Sequence, residues 1–302
     1  MNAASARVRA QAKVNLTLRI LAREASGYHQ LETLFCRLDL GDVVTVRPTG
    51  GSWSLDCDGP AMPAGGIGPV ERNLAWRAAT AFADATGWPS GVAIEIEKQV
   101  PVGGGLGGGS ADAGAVLRAL NALCPTPLAP ARLLEIAGTL GADVPFVTQA
   151  ESPLALAWGR GDRMLALPAL PARGCLVVTA PFGVNTASAF GWLAEHGLPR
   201  PAALETSPDA LSRWGDVDAL SRNDFEAVVM PRHQDLARAF AVLQAAIAGR
   251  GVARMSGSGS TLYALVPPQE AGTVAARLAL PPGFEVRVTG TATGVAPVDV
   301  AR

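Results

Sequence analysis

The sequence predicts a two-domain fold of mixed helices and strands, and three observations carry that expectation. The chain has 302 residues, enough for about two hydrophobic cores. Strand-like and helix-like stretches alternate along it, the first clear pair joined by a glycine-rich loop. A second set of such elements begins at Cys175-Leu-Val-Val-Thr179, past a soft boundary near residues 150–170. With 49% hydrophobic and 17% charged residues, the composition is that of a folded globular chain.

Taken in order, Arg7–Ala22 alternates as a strand, with Val8, Ala10, Ala12, Val14, Leu16, Leu18 and Ile20 on one face. Lys13, Asn15 and Thr17 fall on the other face, either an ordinary solvated surface or the floor of a polar site. Gly27-Tyr-His29 reads as a turn carrying an aromatic ring and a proton carrier. Asp39–Arg47 reads as a turn into a strand, and Ser52–Pro69 as a glycine- and proline-rich connection. A helix is expected from Glu71-Arg-Asn-Leu74 to about Thr86, closed by Gly87. Val92–Glu97 alternates as a strand. The stretch Pro101-Val-Gly-Gly-Gly-Leu-Gly-Gly-Gly-Ser-Ala-Asp-Ala113 follows, with six glycines in thirteen residues, and then a helix to Leu123 with Ser110 as its N-cap. Ala131–Leu140 is a further helix that stops at Gly141. Asp143 stands between that stop and Pro145, either as a turn cap or as an acid aimed into a site. Trp158–Asp162 is a turn. Pro181–Phe190 is a loop entering a helix, Pro199–Asp218 is irregular, and helices open at Asn223 and run over Asp235–Arg250. Ala253–Val266 passes from a second glycine-serine loop into a strand. Glu270–Leu280 is helical, and Phe284–Thr289 is the final strand.

Strand, glycine loop and helix N-terminus together suit an anion. Without β-carbons the backbone approaches closely, and several N–H groups and the positive helix end converge on one point. No Gly-Lys pair occurs in the chain, which excludes a Walker-type loop. Gly103–Gly108 does fit GxGxxG, but the acid that would hold a dinucleotide ribose is missing from the proline-rich Cys124–Pro130 region.

Bulk properties narrow the function further. A net charge of −1 and 5% aromatic residues argue against nucleic acid and against a membrane surface. Four dispersed cysteines and three histidines show no metal-ligand spacing. With no apolar run of the ~18 residues that span a bilayer and no signal-peptide core, a cytoplasmic location is expected. Of 25 basic residues only Lys13 and Lys98 are lysine. Arginine cannot copy a compact ammonium, which directs attention to both.

Five stretches in order resemble the GHMP kinases (galacto-, homoserine, mevalonate and phosphomevalonate kinases): Ala12–Leu16, Gly27–His29, Pro101–Ala113, Leu140–Pro145 and Ser256–Ser260. The resemblance covers about residues 8–266. It implies an α+β, two-domain GHMP kinase fold, with a ribosomal-S5-like ATP-binding domain over 1–160, a ferredoxin-like domain over 161–302, and the active site in the cleft between them. It further implies phosphoryl transfer from ATP with Mg²⁺, Asp143 as general base and Lys13 stabilising the developing charge. The phosphates would lie on Pro101, Gly103, Gly104, Gly105, Leu106, Gly107, Gly108, Gly109 and Ser110, with Asn73 on the adenosine side. Gly108 and Gly109 stand where many relatives carry serine, so the resemblance leaves the Mg²⁺ ligands unassigned, with Ser110 as one candidate. Within the family, the match is to the branch whose small-molecule substrate is a cytidine-diphosphate-linked methylerythritol of the non-mevalonate isoprenoid route. Tyr28 and Phe190 would sandwich the cytosine, His29 would hydrogen-bond it, and Asn15 would touch the methylerythritol hydroxyls. A monomer or weak homodimer is expected. The alternatives are a homoserine- or mevalonate-type kinase, or a ligand binder of the same fold without catalysis.

Overall fold

The structure, a computed structural model, describes residues 4–25, 27, 29–161, 163–197 and 208–301. Its first half is organised by two long strands, β1 (Ser5–Arg23) and β2 (His29–Thr49), paired antiparallel. Then follow β3 (Trp53–Asp58), α1 (Leu74–Thr86), β4 (Gly91–Glu97), α2 (Gly108–Leu123), α3 (Pro130–Leu140), α4 (Val144–Thr148), β5 (Leu154–Gly159) and β6 (Arg163–Leu167). The second half comprises β7 (Gly174–Thr179), α5 (Thr186–His196), α6 (Trp214–Leu220), β8 (Arg222–Asn223), α7 (Glu226–Val229) and α8 (Gln234–Ile247). It ends with β9 (Val252–Met255), β10 (Leu262–Val266), α9 (Ala271–Ala275), β11 (Glu285–Gly290) and β12 (Val298–Ala301).

Two sheets result. In the larger, β2 pairs β1 along one edge, while its other edge serves β5 in the first half and β4 in the second. β12 and the short β8 flank β1, so the second half of the chain closes back on the first. The smaller sheet runs β11-β7-β10-β9. Strand alternation builds the layers. Cys175 and Val177 of β7 face the larger sheet, whereas Leu176 and Val178 face α5, α8 and α9. Helices α1–α4 cover the other side of the larger sheet.

One irregularity positions the site. Ala6, Val8 and Ala10 of β1 pack against the helices, but Ala12, Val14 and Leu16 pack against the smaller sheet. The change coincides with a register shift between Gln11 and Lys13. Such a shift re-aims every later side chain. It turns Lys13 and Asn15 to the helix side, where the glycine loop arrives. Both are buried, so this face is not a solvated strand surface.

Several sequence expectations need correction. Asp39–Arg47 is not a turn into a new strand but part of continuous β2, and the connection after Ser52 contains β3. Helix α2 begins at Gly108 with left-handed Gly107 at the N-cap, so Ser110 lies inside the first turn rather than capping it. Pro145 does not block a helix: it sits at the start of α4, where the missing N–H costs nothing. The stretch before Asp218 contains α6, Asn223 is in β8, α9 is shorter than Glu270–Leu280, and β12 follows the strand expected to be last. Tyr28 lies outside the described residues.

Candidate active site

A cleft of about 1100 Å³ opens between the helices of the first half and α5 of the second. Lys13 lies at its centre. Its ammonium donates to Asn15 Oδ1 at 2.9 Å and to the Gly105 carbonyl at 3.0 Å, and stands 3.2 Å from Asp143 Oδ2. Asn15 is held in turn: its Nδ2 donates to Thr33 Oγ1 at 2.8 Å, and Thr33 donates to the Thr17 carbonyl. The Lys13 side chain crosses the Phe35 ring with its Nζ 5.5 Å from the ring centroid, a further support for the cation.

Asp143 owes its position to α4. It occupies the N-cap of that helix, but its side chain makes no cap hydrogen bond, so it is free to face Lys13. Asp143 is therefore not a side-chain cap, and it lines the cleft beside Lys13. α4 itself is fixed from two sides. Gly114 of α2 approaches so closely that a Cβ there would lie 2.9 Å from the Val147 backbone. Buried Arg37 donates to the Phe146 and Gln149 carbonyls at 2.7 and 2.8 Å. The helix that follows the glycine loop and the turn that carries the acid are therefore one packed unit.

The glycine loop is stitched to the second glycine-serine loop. The Thr261 N–H donates to the Gly104 carbonyl at 3.1 Å, and Ser256 Oγ to the Gly105 carbonyl at 2.8 Å. The Gly257 N–H donates to Asn15 Oδ1 at 3.0 Å. Contacts this close account for the glycines. A Cβ on Gly105, whose φ is +84°, would stand 2.2 Å from the Ser256 carbonyl oxygen, and one on Gly107, at φ +70°, 3.0 Å from the Lys13 chain. Gly105→Ala is therefore expected to weaken binding of a phosphate-bearing ligand on the loop by at least about tenfold, while Gly103→Ala, strained at φ +83° but with no atom in its way, costs less. Calorimetric titration with ADP checks the pair.

A smaller cavity of about 180 Å³ lies on the other side of the loop, lined by Asn73, Lys98, Asp112 and the backbone from Pro101 to Gly109. Asn73 caps α1 by accepting from the Ala75 N–H at 2.8 Å. Ser110 lines neither cavity, and its hydroxyl makes no hydrogen bond among the described residues. No cluster of three or more His, Cys, Asp or Glu able to hold a metal occurs among the described residues.

The far end of the large cleft is aromatic. His29 stacks on Phe190 at 4.5 Å between centroids, and Phe190 meets Phe225 edge-on at 4.9 Å. Burial and the positive charge of Arg23 lower the His29 pKa and so favour the neutral ring. Its Nε2 is buried without a partner. Thr186 at the start of α5 shares a hydrogen bond of 2.9 Å with Ser258, which links this end to the second loop.

Thus Lys13, Asn15, Asp143, His29 and Phe190 share one cleft, and Asn73 and most of the loop share the adjoining cavity. Sequence reading did not assign Arg23, Thr33, Phe225 or the Asp42–Lys98–Asp112 cluster. Only Lys98 carried a signal, its rarity as a lysine.

Residues 73–151 match the family model for the GHMP kinases N terminal domain, and residues 201–281 that for the GHMP kinases C terminal. A protein of Paracoccus denitrificans named 4-diphosphocytidyl-2-C-methyl-D-erythritol kinase is 41% identical over 94% of this chain and 96% of its own. Its namesake in Pelotomaculum thermopropionicum is 38% identical over 89% and 92%. The crystal structure of a 4-(cytidine 5'-diphospho)-2C-methyl-D-erythritol kinase is similar with a TM-score of 0.75 and 33% identity, covering 95% of this chain and all of that one. The homoserine kinase of Cytophaga hutchinsonii, at 19% identity and a TM-score of 0.67, shares the fold.

Proposed function

Because this chain belongs to the GHMP kinase family, whose models match both of its halves, we propose that it transfers the γ-phosphoryl group of ATP to the 2-hydroxyl of 4-diphosphocytidyl-2-C-methyl-D-erythritol. The observation that carries this reading is the setting of Lys13, whose one ammonium touches the glycine loop, the substrate-side Asn15 and the acid Asp143.

The roles follow from that geometry. The loop N–H groups and the start of α2 receive the ATP phosphates, with the nucleoside toward Asn73. The acceptor hydroxyl lies beside Asp143, which takes its proton as the oxygen–phosphorus bond forms and the bond to the ADP oxygen breaks. Lys13 balances the charge gathering on the transferred group, and its anchors preset its direction. Mg²⁺ would neutralise the phosphates and would take most of its oxygens from phosphates and water, since Ser110, the candidate protein ligand, lines neither cavity.

At the far end, the aromatic group accepts the cytosine. The stacking face of Phe190 is taken by His29, so an entering base displaces His29 and gives its unpartnered Nε2 a partner. Arg23, at the cleft wall, faces the diphosphate between base and sugar. Phe190→Ala is expected to raise the acceptor KM by about ten- to a hundredfold, from the loss of one stacking contact, with the ATP KM unchanged.

The deciding experiment is ADP release from Mg-ATP with a panel of acceptors: the cytidine compound, its uridine analogue, mevalonate, homoserine and galactose. Turnover with the cytidine compound alone supports the reading. Turnover with mevalonate or homoserine retains the kinase and discards the base site. Silence with ATP still bound points to a binder without catalysis.

A further inference from the structure

The second lysine of the chain lies on the opposite side of the glycine loop from the first. Lys98, at the end of β4, is 3% exposed. Its ammonium donates to Asp42 Oδ2 of β2 and, at 2.6 Å, to Asp112 Oδ2 of α2. Both carboxylates are buried. Asp42 uses its other oxygen to accept the N–H groups of Gln99 and Val100, the residues that lead into the loop, at 2.5 and 2.7 Å. Asp112 Oδ1 has no partner, so Lys98 is the group that satisfies this carboxylate. The first helical residue, Gly108, presses on the same cluster: a Cβ there would lie 3.1 Å from Val100 Cγ1 and 3.7 Å from Asp42 Oδ2.

We propose that Lys98 is a positioning residue for the ATP loop, pinning the loop's entry through Asp42 and its exit through Asp112. The proposal rests on the kinase reading above. The β2–β4 ladder ends at Val43 and Glu97, one residue short of Asp42 and Lys98, and it sets no spacing between these strands and α2 beneath a chain this glycine-rich, which loses much entropy on ordering. A buried ammonium between two carboxylates sets that spacing within hydrogen-bond tolerance, since removing the ammonium leaves both carboxylates without a counter-charge. Both ends of the loop are thereby held, while Lys13 and the second glycine-serine loop hold its middle. One compact ammonium reaches both carboxylates in this buried place, which accounts for one of the two lysines in a chain that uses arginine for its other basic residues.

The test uses three variants of the full chain: Lys98→Met, Asp112→Leu, and the double variant. In the double variant the ion and one partner leave together, and Asp42 keeps its two backbone donors, which protects folding. ADP affinity is measured by calorimetry, and the KM of ATP and of the acceptor by steady-state kinetics. The expected result is ADP binding weakened about tenfold or more in all three, with the acceptor KM within about twofold of wild type. If Lys98→Met weakens binding and Asp112→Leu does not, Lys98 touches the nucleotide directly and the positioning role is overturned. Wild-type ADP affinity in the double variant overturns it as well. A parallel rise in the acceptor KM would mark a general loosening of the fold and likewise refute it. Failure of the wild-type protein to bind ADP would instead sink the kinase reading and the proposal with it.

Discussion

Asp143→Asn is expected to lower kcat by about three orders of magnitude while ADP binds as to the wild type. The substitution keeps the shape of the side chain and removes its capacity to take a proton. Structural cost is small, because the Asp143 side chain caps no helix and its one charged contact among the described residues is Lys13. Lys13 retains the Gly105 carbonyl and Asn15 Oδ1. The glycine loop takes no hydrogen bond from Asp143 among the described residues, so binding and turnover are expected to separate. Rapid-quench single turnover with Mg-ATP and the cytidine acceptor, beside calorimetry with ADP, measures both. A kcat within tenfold of wild type would remove Asp143 from proton transfer.

Lys13→Met is expected to cost a further comparable factor, about a hundred- to a thousandfold in kcat, as for loss of one preorganised charge at a transferring group. The fold should tolerate it. Asn15 Oδ1 still accepts from the Gly257 N–H, and the Gly105 carbonyl from Ser256. Lys13→Arg should not restore activity. Gly107 lies against the methylene chain, so a guanidinium cannot occupy the ammonium's place between a carbonyl, an amide oxygen and a carboxylate. Unlike Asp143→Asn, this variant should also weaken ADP, because Lys13 is one support of the loop. Near-wild-type turnover in Lys13→Arg would mean that charge alone, not placement, matters.

Much of the candidate site was legible because its chemistry is local. The glycine loop declares itself by composition, since only a chain free of β-carbons passes so close to the second loop. Asp143 stands out by lying between a helix stop and a proline. Lys13 and Asn15 share one face of a strand whose period is plain. The rest was not legible because it depends on residues far apart in sequence. Nothing near Asp42 or Asp112 marks them as partners of Lys98, from which they are separated by 56 and 14 positions. Phe190 could be named as a stacking residue and His29 as a hydrogen-bonding one, but not the two stacked on each other.

What the sequence determined by itself is the set of elements around the loop, the family, and the placing of Lys13, Asn15 and Asp143 in the motifs that carry the resemblance. Hydrophobic periodicity and turn chemistry act over a few residues, so they survive without a fold. The tertiary structure alone decided which way those residues face. The register shift in β1 turns Lys13 toward the loop, the approach of Gly114 to Val147 places Asp143 opposite it, and β12 returns to close the larger sheet. Each depends on how strands pair and helices pack across the whole chain, where a displacement of one residue reverses a face.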